Sequence, residues 1–450
     1  DNTVGAYYNN TFSGIHIANP GTAQTNTIQG NSIGRIDITT SATTNTFYGI
    51  FLNGGAIAAN VGTTTGNSIR NITVSATASY YSVFGIYANT TSTLPGINIG
   101  GQNYPANSIG DIVAKAPASY PSTAPNVFGI YTSGSGKFAI KNNLIEKIQT
   151  GTTSAPVTSA WNQAYNVGIY HTASGPVSIT KNRITELTQN NNYGSGNNAL
   201  NGIWLTTGTD PEIYGNSITK LRSNGGYNAP VTGIVHTGPQ GGVIDSNTVF
   251  GLENFNASNN YMPLTGIYQN STNIPSGKDK NLVSRNTIHT FKLASNNVQP
   301  NTTITGIQLG GGGSSGLAHV VNNMIALGDS LGLANNPTIR GIWHLNYLAD
   351  DHYYYNSVRI GGTTTSGGSS AYTYAFHDQY DTKTVTVRNN IFVNERTSAG
   401  TQRHYALVSN GGLVHSHNNL YSANLGAHTA SLDNGSTSLS YATWKASHDV

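Results

Sequence analysis

Gly168-Ile169-Tyr170-His171-Thr172-Ala173-Ser174-Gly175-Pro176-Val177-Ser178-Ile179-Thr180-Lys181-Asn182-Arg183-Ile184 reads as one unit of a repeat. The same markers recur at Gly129-Ile130-Tyr131 with Asn143-Leu144-Ile145, at Gly202-Ile203-Trp204 with Asn216-Ser217-Ile218, and at Gly233-Ile234-Val235 with Asn247-Thr248-Val249. Glycine and asparagine stand 14 residues apart each time. Apolar positions that recur in fixed register over a supersecondary length are the mark of a solenoid, in which each unit buries its apolar side only against its neighbours.

Working outward, the first marker runs through Gly14, Gly49, Gly85, Gly129, Gly168, Gly202, Gly233, Gly266, Gly306 and Gly341, and Ala375 and Ala406 continue it. The second runs through Asn31, Asn67, Asn107, Asn143, Asn182, Asn216, Asn247, Asn286, Asn323, Asn356, Asn390 and Asn419. From Asn31 to Asn419 is 388 residues over eleven intervals, a period of about 35 residues. Helical hairpins share that period, but no segment sustains a 3.6-residue apolar stripe, and the runs between markers are short, β-branched and rich in Gly, Pro, Thr and Asn. In the quoted unit, Ile169, Ile179, Ile184 and Leu187 are apolar, with turn residues at Ser174-Gly175-Pro176 and Lys181-Asn182. The expectation is three short strands per coil and about twelve coils, spanning 1–421, with 422–450 as a cap or the start of another element anchored by Trp444. One asparagine in every coil suits a ladder of side-chain amides at a bend, since catalysis needs one place and not twelve. Polar inserts at Tyr80 to Val83, Ala116 to Val127, Gln149 to Asn166, Gln189 to Leu200 and Phe255 to Leu264 are expected as long loops on one edge, where solenoids carry binding.

Charged residues make up 9% of the 450, against about 25% in ordinary domains, so hydroxyls and amides supply the polar surface, as in many secreted proteins. There are no cysteines, which excludes disulfides and thiolate metal sites. The net charge of +3 is thinly spread, with no basic run interleaved with aromatics, so nucleic acid is not an expected partner. No apolar run approaches the roughly 20 residues of a membrane span, and Asp1 opens on polar sequence, which reads as a mature or excised chain.

If the isoleucine of Gly-Ile faces inward, the next residue faces outward. That column holds Phe51, Tyr87, Tyr131, Tyr170, Trp204, Tyr268 and Trp343, an exposed stripe that is a candidate for binding sugar rings, although cross-coil packing pairs are the somewhat favoured reading. The following column holds His171, His236, His344 and Asp378; parity places it inward, whereas the histidines suggest a corner. His344 and Asp378 are neighbours in adjacent coils, an acid/base pair in type but more commonly a satisfied polar pair. With Asp381, Lys383 and Arg388 they are the catalytic candidates. Asp350 and Asp351 align with Thr384 and Val385, so these groups make no evident cage. Lys147, Glu186 and Lys220 share a column and read as surface ion pairs between coils.

The alternating Gly-Ile-Tyr and Asn-x-Ile markers resemble the right-handed parallel β-helix superfamily, the all-β fold of pectate-lyase-like enzymes and of many bacterial surface proteins. Val385-Thr386-Val387-Arg388-Asn389-Asn390-Ile391-Phe392-Val393-Asn394, His404-Tyr405-Ala406-Leu407 and the tail Tyr441 to Asp449 are similar to β-helix regions of very large secreted adhesins exported by the type IX system. The resemblance implies an extracellular or cell-surface segment of a longer chain, followed by further modules, contacting glycans or other surface components and open to end-to-end assembly. It implies no cofactor. A polysaccharide lyase or glycoside hydrolase on the same fold is the alternative, and only there is calcium implied; a passive stiff spacer is the third. The sequence leaves enzymatic activity open and leans against it, since acids do not converge as lyases and glycosidases require.

Overall fold

The computed structural model describes residues 10–18, 25–40, 44–76, 80–93, 96–115, 125–151, 165–190, 199–224, 230–238, 241–255, 263–271, 281–294, 302–310, 317–346, 349–365, 372–380, 383–410, 412–423, 428–433 and 435–448. They form a parallel β-helix built from three sheets, and the chain divides into two compact units, Asp1–Val231 and Thr232–Val450. The solenoid has about nine regular turns where the markers lead to twelve, a difference of count that leaves the three-sheet architecture unchanged.

In the first unit each coil lays down one strand in each sheet. The quoted repeat supplies Tyr165–His171 to the first, Pro176–Thr180 to the second and Arg183–Gln189 to the third. Ile130, Ile169 and Ile203 are in register along the first sheet, and Ile140, Ile179 and Ile213 along the second. All six are buried, so the core is a set of like-on-like aliphatic columns. The second unit repeats the plan, with first-sheet strands such as Thr303–Leu309, Thr338–His344 and Thr373–Asp378. Its last added first-sheet strand, Ala430–Ser431, pairs with Leu407 and Val408. The helix Tyr441–His448 follows, with Trp444 buried against the His415 ring.

The glycine marker has a steric cause. A Cβ on Gly129 would come within 2.6 Å of the Gly168 carbonyl oxygen and 2.7 Å of Ile145 Cγ2 on the third sheet, and Gly168 is confined in the same way. Glycine and the isoleucine after it therefore both turn toward the interior. Strict alternation breaks at that point, which brings the residue before glycine and the residue after isoleucine onto one outer face.

The asparagine marker closes the bend between the second and third sheets. Asn182 Nδ2 donates to Asn216 Oδ1 at 3.0 Å and to the Ile140 carbonyl at 2.9 Å, while Asn182 Oδ1 accepts from the backbone N–H and the Nδ2 of Asn143. The ladder Asn31, Asn67, Asn107, Asn143, Asn182, Asn216 runs through the first unit, and Asn247, Asn286, Asn323, Asn356, Asn390 continue the pattern in the second. The last rung is Asn418, which accepts from Asn390 at 3.0 Å; Asn419, expected there from the sequence, is instead aligned with Ile391. The residue before each buried asparagine is often left-handed, including Asn142, Lys181, Arg285 and Tyr355 at φ 55 ± 3°. Of the expected inserts, Tyr80 to Val83 belongs to the strand Tyr80–Thr90, whereas most of the other four lies outside the described residues.

Asn182→Ala is expected to destabilise the first unit by roughly 2–5 kcal/mol, because it removes four side-chain hydrogen bonds in a buried bend and leaves the Asn143 N–H without its acceptor. Lys181→Gly relieves a left-handed lysine and is expected to be neutral or stabilising by up to about 1 kcal/mol. Urea unfolding of both variants checks the pair; equal losses would contradict the account.

Candidate functional site

The outward column is continuous through the first unit, with His16, Phe51, Tyr87, Tyr131, Tyr170 and Trp204 in register. A second file, unremarked in the sequence reading, stands beside it one position before each glycine: Tyr48, Phe84, Phe128 and Val167. Tyr48 stacks on Phe51 with ring centres 4.1 Å apart, Phe84 on Phe128 at 5.2 Å, and Tyr87 on Tyr131 at 5.0 Å with planes 6° apart. Tyr170 leans on Trp204 at 4.7 Å. The expected exposed stripe is thus corrected: from Phe51 to Trp204 its rings are half-buried, because the two files occupy one another's faces. What reaches solvent is mainly ring edges and phenol groups. Burial, then the neighbouring Tyr131 and Tyr165, pushes the Tyr170 phenol up to about 12, so it stays neutral. In the second unit, Tyr268 aligns with Gln308 and Gln308 with Trp343, so the aromatic column is interrupted. Trp343 carries the Arg340 guanidinium 3.9 Å over its ring and donates to Gln379 Oε1 at 3.0 Å.

The histidine column faces inward, as parity requires and against the corner that histidine suggested. His171, His236, His344 and Asp378 are all buried. His171 Nδ1 lies 2.7 Å from Thr132 Oγ1 in the coil before it. His344 and Asp378 do meet, with Nδ1 to Oδ1 at 2.8 Å, and a second acid approaches from the same coil: Asp351 Oδ2 is 3.3 Å from His344 Nε2. Asp378 Oδ2 also accepts from Ser409 at 2.6 Å, and Asp351 accepts from the Ala318 N–H at 2.7 Å and from Asn346 Nδ2 at 3.1 Å. Burial lowers the affinity of His344 for its proton, but the hydrogen bonds to Asp351 and Asp378 outweigh it and raise the pKa to about 9. An imidazolium locked between two carboxylates is neither a free base nor a relay to a nucleophile, because the Ser409 hydroxyl points its proton at Asp378 rather than at the ring. No substrate can touch these atoms at 0–1% exposure.

The other candidates do not join this cluster. Lys383 is half-exposed and Arg388 exposed, and Asp381 lies outside the described residues. Asp350 accepts from the Thr384 N–H at 3.0 Å, as the register predicts. Among the described residues no group of three His, Asp or Glu side chains is placed to hold a metal. Ion pairs between coils include Lys220 with Glu186 at 3.1 Å, exposed and worth little; Lys147 instead lies 4.0 Å from Asp111. Two more buried titratable side chains escaped the sequence reading: Arg396, which caps the Asn335 carbonyl at 3.1 Å, and His404, held between Thr373 Oγ1 at 2.8 Å and Ser398 Oγ at 3.1 Å. No family model matches this chain, and neither does any curated protein or solved structure. The fold and these contacts define a parallel β-helix whose aliphatic interior also holds buried polar side chains.

Burial, with the nearby charges of Arg396 and His428, lowers the His404 pKa to about 4. A histidine whose folded pKa lies below its unfolded value of about 6.5 contributes stability that is complete above that value and lost as pH falls from there toward 4. Asp245 adds a second step at lower pH. Burial opposes its charge, but Arg285 and Ser284 outweigh that and hold its pKa below the usual carboxylate value, so its contribution is present above about pH 4 and lost below. Stability is therefore expected to fall first between pH 6.5 and 4, by up to roughly 3 kcal/mol from His404, with the unfolding midpoint falling alongside it. Thermal melts of the wild type and His404→Gln check it: the variant should be flatter in that window, and identical slopes would rule out this histidine as the cause.

Proposed function

We propose that the chain is a non-enzymatic β-helix segment of a large bacterial surface adhesin or filament, acting outside the cell by contact rather than by chemistry. The observation that carries the reading is the burial of the acid/base constellation: His344, Asp351 and Asp378 lie against one another in the interior, at 0–1% exposure, out of reach of a substrate. The outer face of the first unit supplies the contact. Its tyrosine edges present hydroxyls in a row, with Tyr87 Oη 3.2 Å from Ser133 Oγ and Tyr131 Oη accepting from Thr172 at 3.3 Å. Hydroxyl edges of this kind suit glycans and other hydroxyl-rich surfaces, with Trp204 as the broadest apolar contact of that face; Trp343 is a separate contact in the second unit, where the Arg340 guanidinium lies over its ring. The mutual stacking of ring faces favours one second reading, a stiff spacer that binds nothing.

A glycan array and a polysaccharide-degradation panel, run on the purified chain beside Trp204→Ala/Trp343→Ala, separate these readings. The expected result is glycan binding weakened about tenfold or more in the double variant, with no turnover. New unsaturated or reducing ends would overturn the non-enzymatic reading, and silence in both assays would leave the spacer.

A further inference from the structure

At the bend between the second and third sheets, the first unit gathers cations that stand far apart in the sequence. Lys141 ends the strand Phe138–Lys141, Lys181 and Arg183 flank the buried Asn182, and Tyr214 ends the strand Thr209–Tyr214. Register stacks them. Lys141 is aligned with Thr180 and Thr180 with Tyr214, while Arg183 is aligned with Leu144 and Ser217. The coil before adds Tyr104, from the segment whose Gly101 and Gln102 carbonyls accept from Asn142 Nδ2. Coil spacings of about 4.8 Å make this a stripe roughly 14 Å long. Only Asn142-Asn143 and Lys181-Asn182 separate the strands on either side, so the asparagine ladder holds the side chains on a short, fixed backbone.

Three features set this corner apart. Elsewhere in the first unit, cations lean on acids of neighbouring coils, Arg70 on Asp111 and Glu146 and Lys220 on Glu186. Here, among the described residues, Lys181 and Arg183 form no ion pair and Lys141 reaches the neutral Gln102 Oε1 at 3.1 Å. Those pairs occupy Glu146 and Glu186, and Asp210 and Glu212 stand further back along the strand that Tyr214 ends. Second, Tyr104 at 50% and Tyr214 at 41% are the most exposed large apolar side chains among the described residues of this unit. Third, Lys181 holds a left-handed backbone at φ 55°, where the neighbouring coils place Asn142 and Gly215, residues that accept it at little cost. Arg285 bears the same strain in the second unit and pairs with Asp245. Lys181 has no such acid within the chain, which directs its charge outward.

We propose that this corner docks a sulfated glycan, laid along the stripe with its sulfates on Lys141, Lys181 and Arg183 and its sugar rings against Tyr104 and Tyr214. The proposal rests on the reading of the chain as a glycan-contact protein and adds a second surface to it, with an acidic ligand class. Ammonium groups act as point charges and suit the dense charge of sulfate. A planar carboxylate is matched better by the guanidinium fork, which two of the three cations lack. Single-stranded nucleic acid requires ring faces for successive bases, whereas two coils of lysine separate these tyrosines.

The test is fluorescence anisotropy of labelled heparin titrated with the full chain at low and high sodium chloride, with polygalacturonate, dextran and a thymidine oligonucleotide as comparisons. Heparin is expected to bind most tightly, and more weakly as salt rises. Lys141→Gln/Lys181→Gln/Arg183→Gln is expected to weaken it about tenfold or more, and Tyr104→Ala/Tyr214→Ala several-fold, with circular dichroism reporting the fold of each. Trp204→Ala/Trp343→Ala should leave heparin binding unchanged. An unchanged heparin affinity in the folded triple variant would overturn the proposal, as would tighter binding of polygalacturonate or the oligonucleotide. Neutral glycans bound through the tryptophans without heparin binding would overturn this corner site alone, and silence towards every glycan would overturn the contact reading with it.

Discussion

A backbone that turns a corner in the interior of a protein must find partners for the N–H and C=O groups that leave the sheet there, and this fold meets that demand with one carboxamide per coil. The buried asparagine is suited because it both accepts and donates: Oδ1 takes the N–H and the side-chain amide of the coil before, while Nδ2 reaches the coil after and a second-sheet carbonyl. Serine lacks the reach and aspartate lacks the donor. Because each rung completes its neighbour, the side-chain amides form a second ladder that repeats at the spacing of the backbone ladders. Everything inside inherits that spacing, so like residues fall on like residues and the aliphatic columns pack without adjustment.

The second constraint is the close approach of the first and third sheets at the glycine column. It removes Cβ from one position per coil and thereby determines what the outside looks like. With glycine and isoleucine both turned in, residues three apart meet on the outer face, and Tyr48 lies against Phe51 rather than one pleat away. Where alanine replaces glycine, at Ala375 and Ala406, the interior has changed character as well. Phe376 and Phe392 stack there at 5.5 Å, and Tyr353 packs edge-on against Phe376.

Much of this was legible in the sequence because a repeat multiplies weak signals. A single Gly-Ile is uninformative, but recurrence in register identified the strands, the ladder and the pairing of His344 with Asp378. The parts that were not legible depend on what happens between columns. Asp351 reaches His344 across a corner of its own coil, a contact that aligning coil against coil cannot reveal. The double aromatic file needed the break in alternation at glycine, which period-two reasoning does not contain. The shift from Asn419 to Asn418 arises because the last interval is shorter, and Asn418-Asn419 offers two candidates with one residue type. The burial of the histidine column was decided by parity, yet the polarity of the side chains argued against it; partners within the column resolve the conflict.

The stacked aromatics of the first unit carry an optical consequence. Tyr87, Tyr131 and Tyr170 stand about one ring width apart and end on Trp204. Light absorbed by the phenols can pass down such a file by excitation transfer and leave as indole emission. The tryptophan therefore acts as a terminal emitter whose yield under tyrosine excitation depends on every coil between, so the order of four successive coils is written into the colour of the light that one residue gives off.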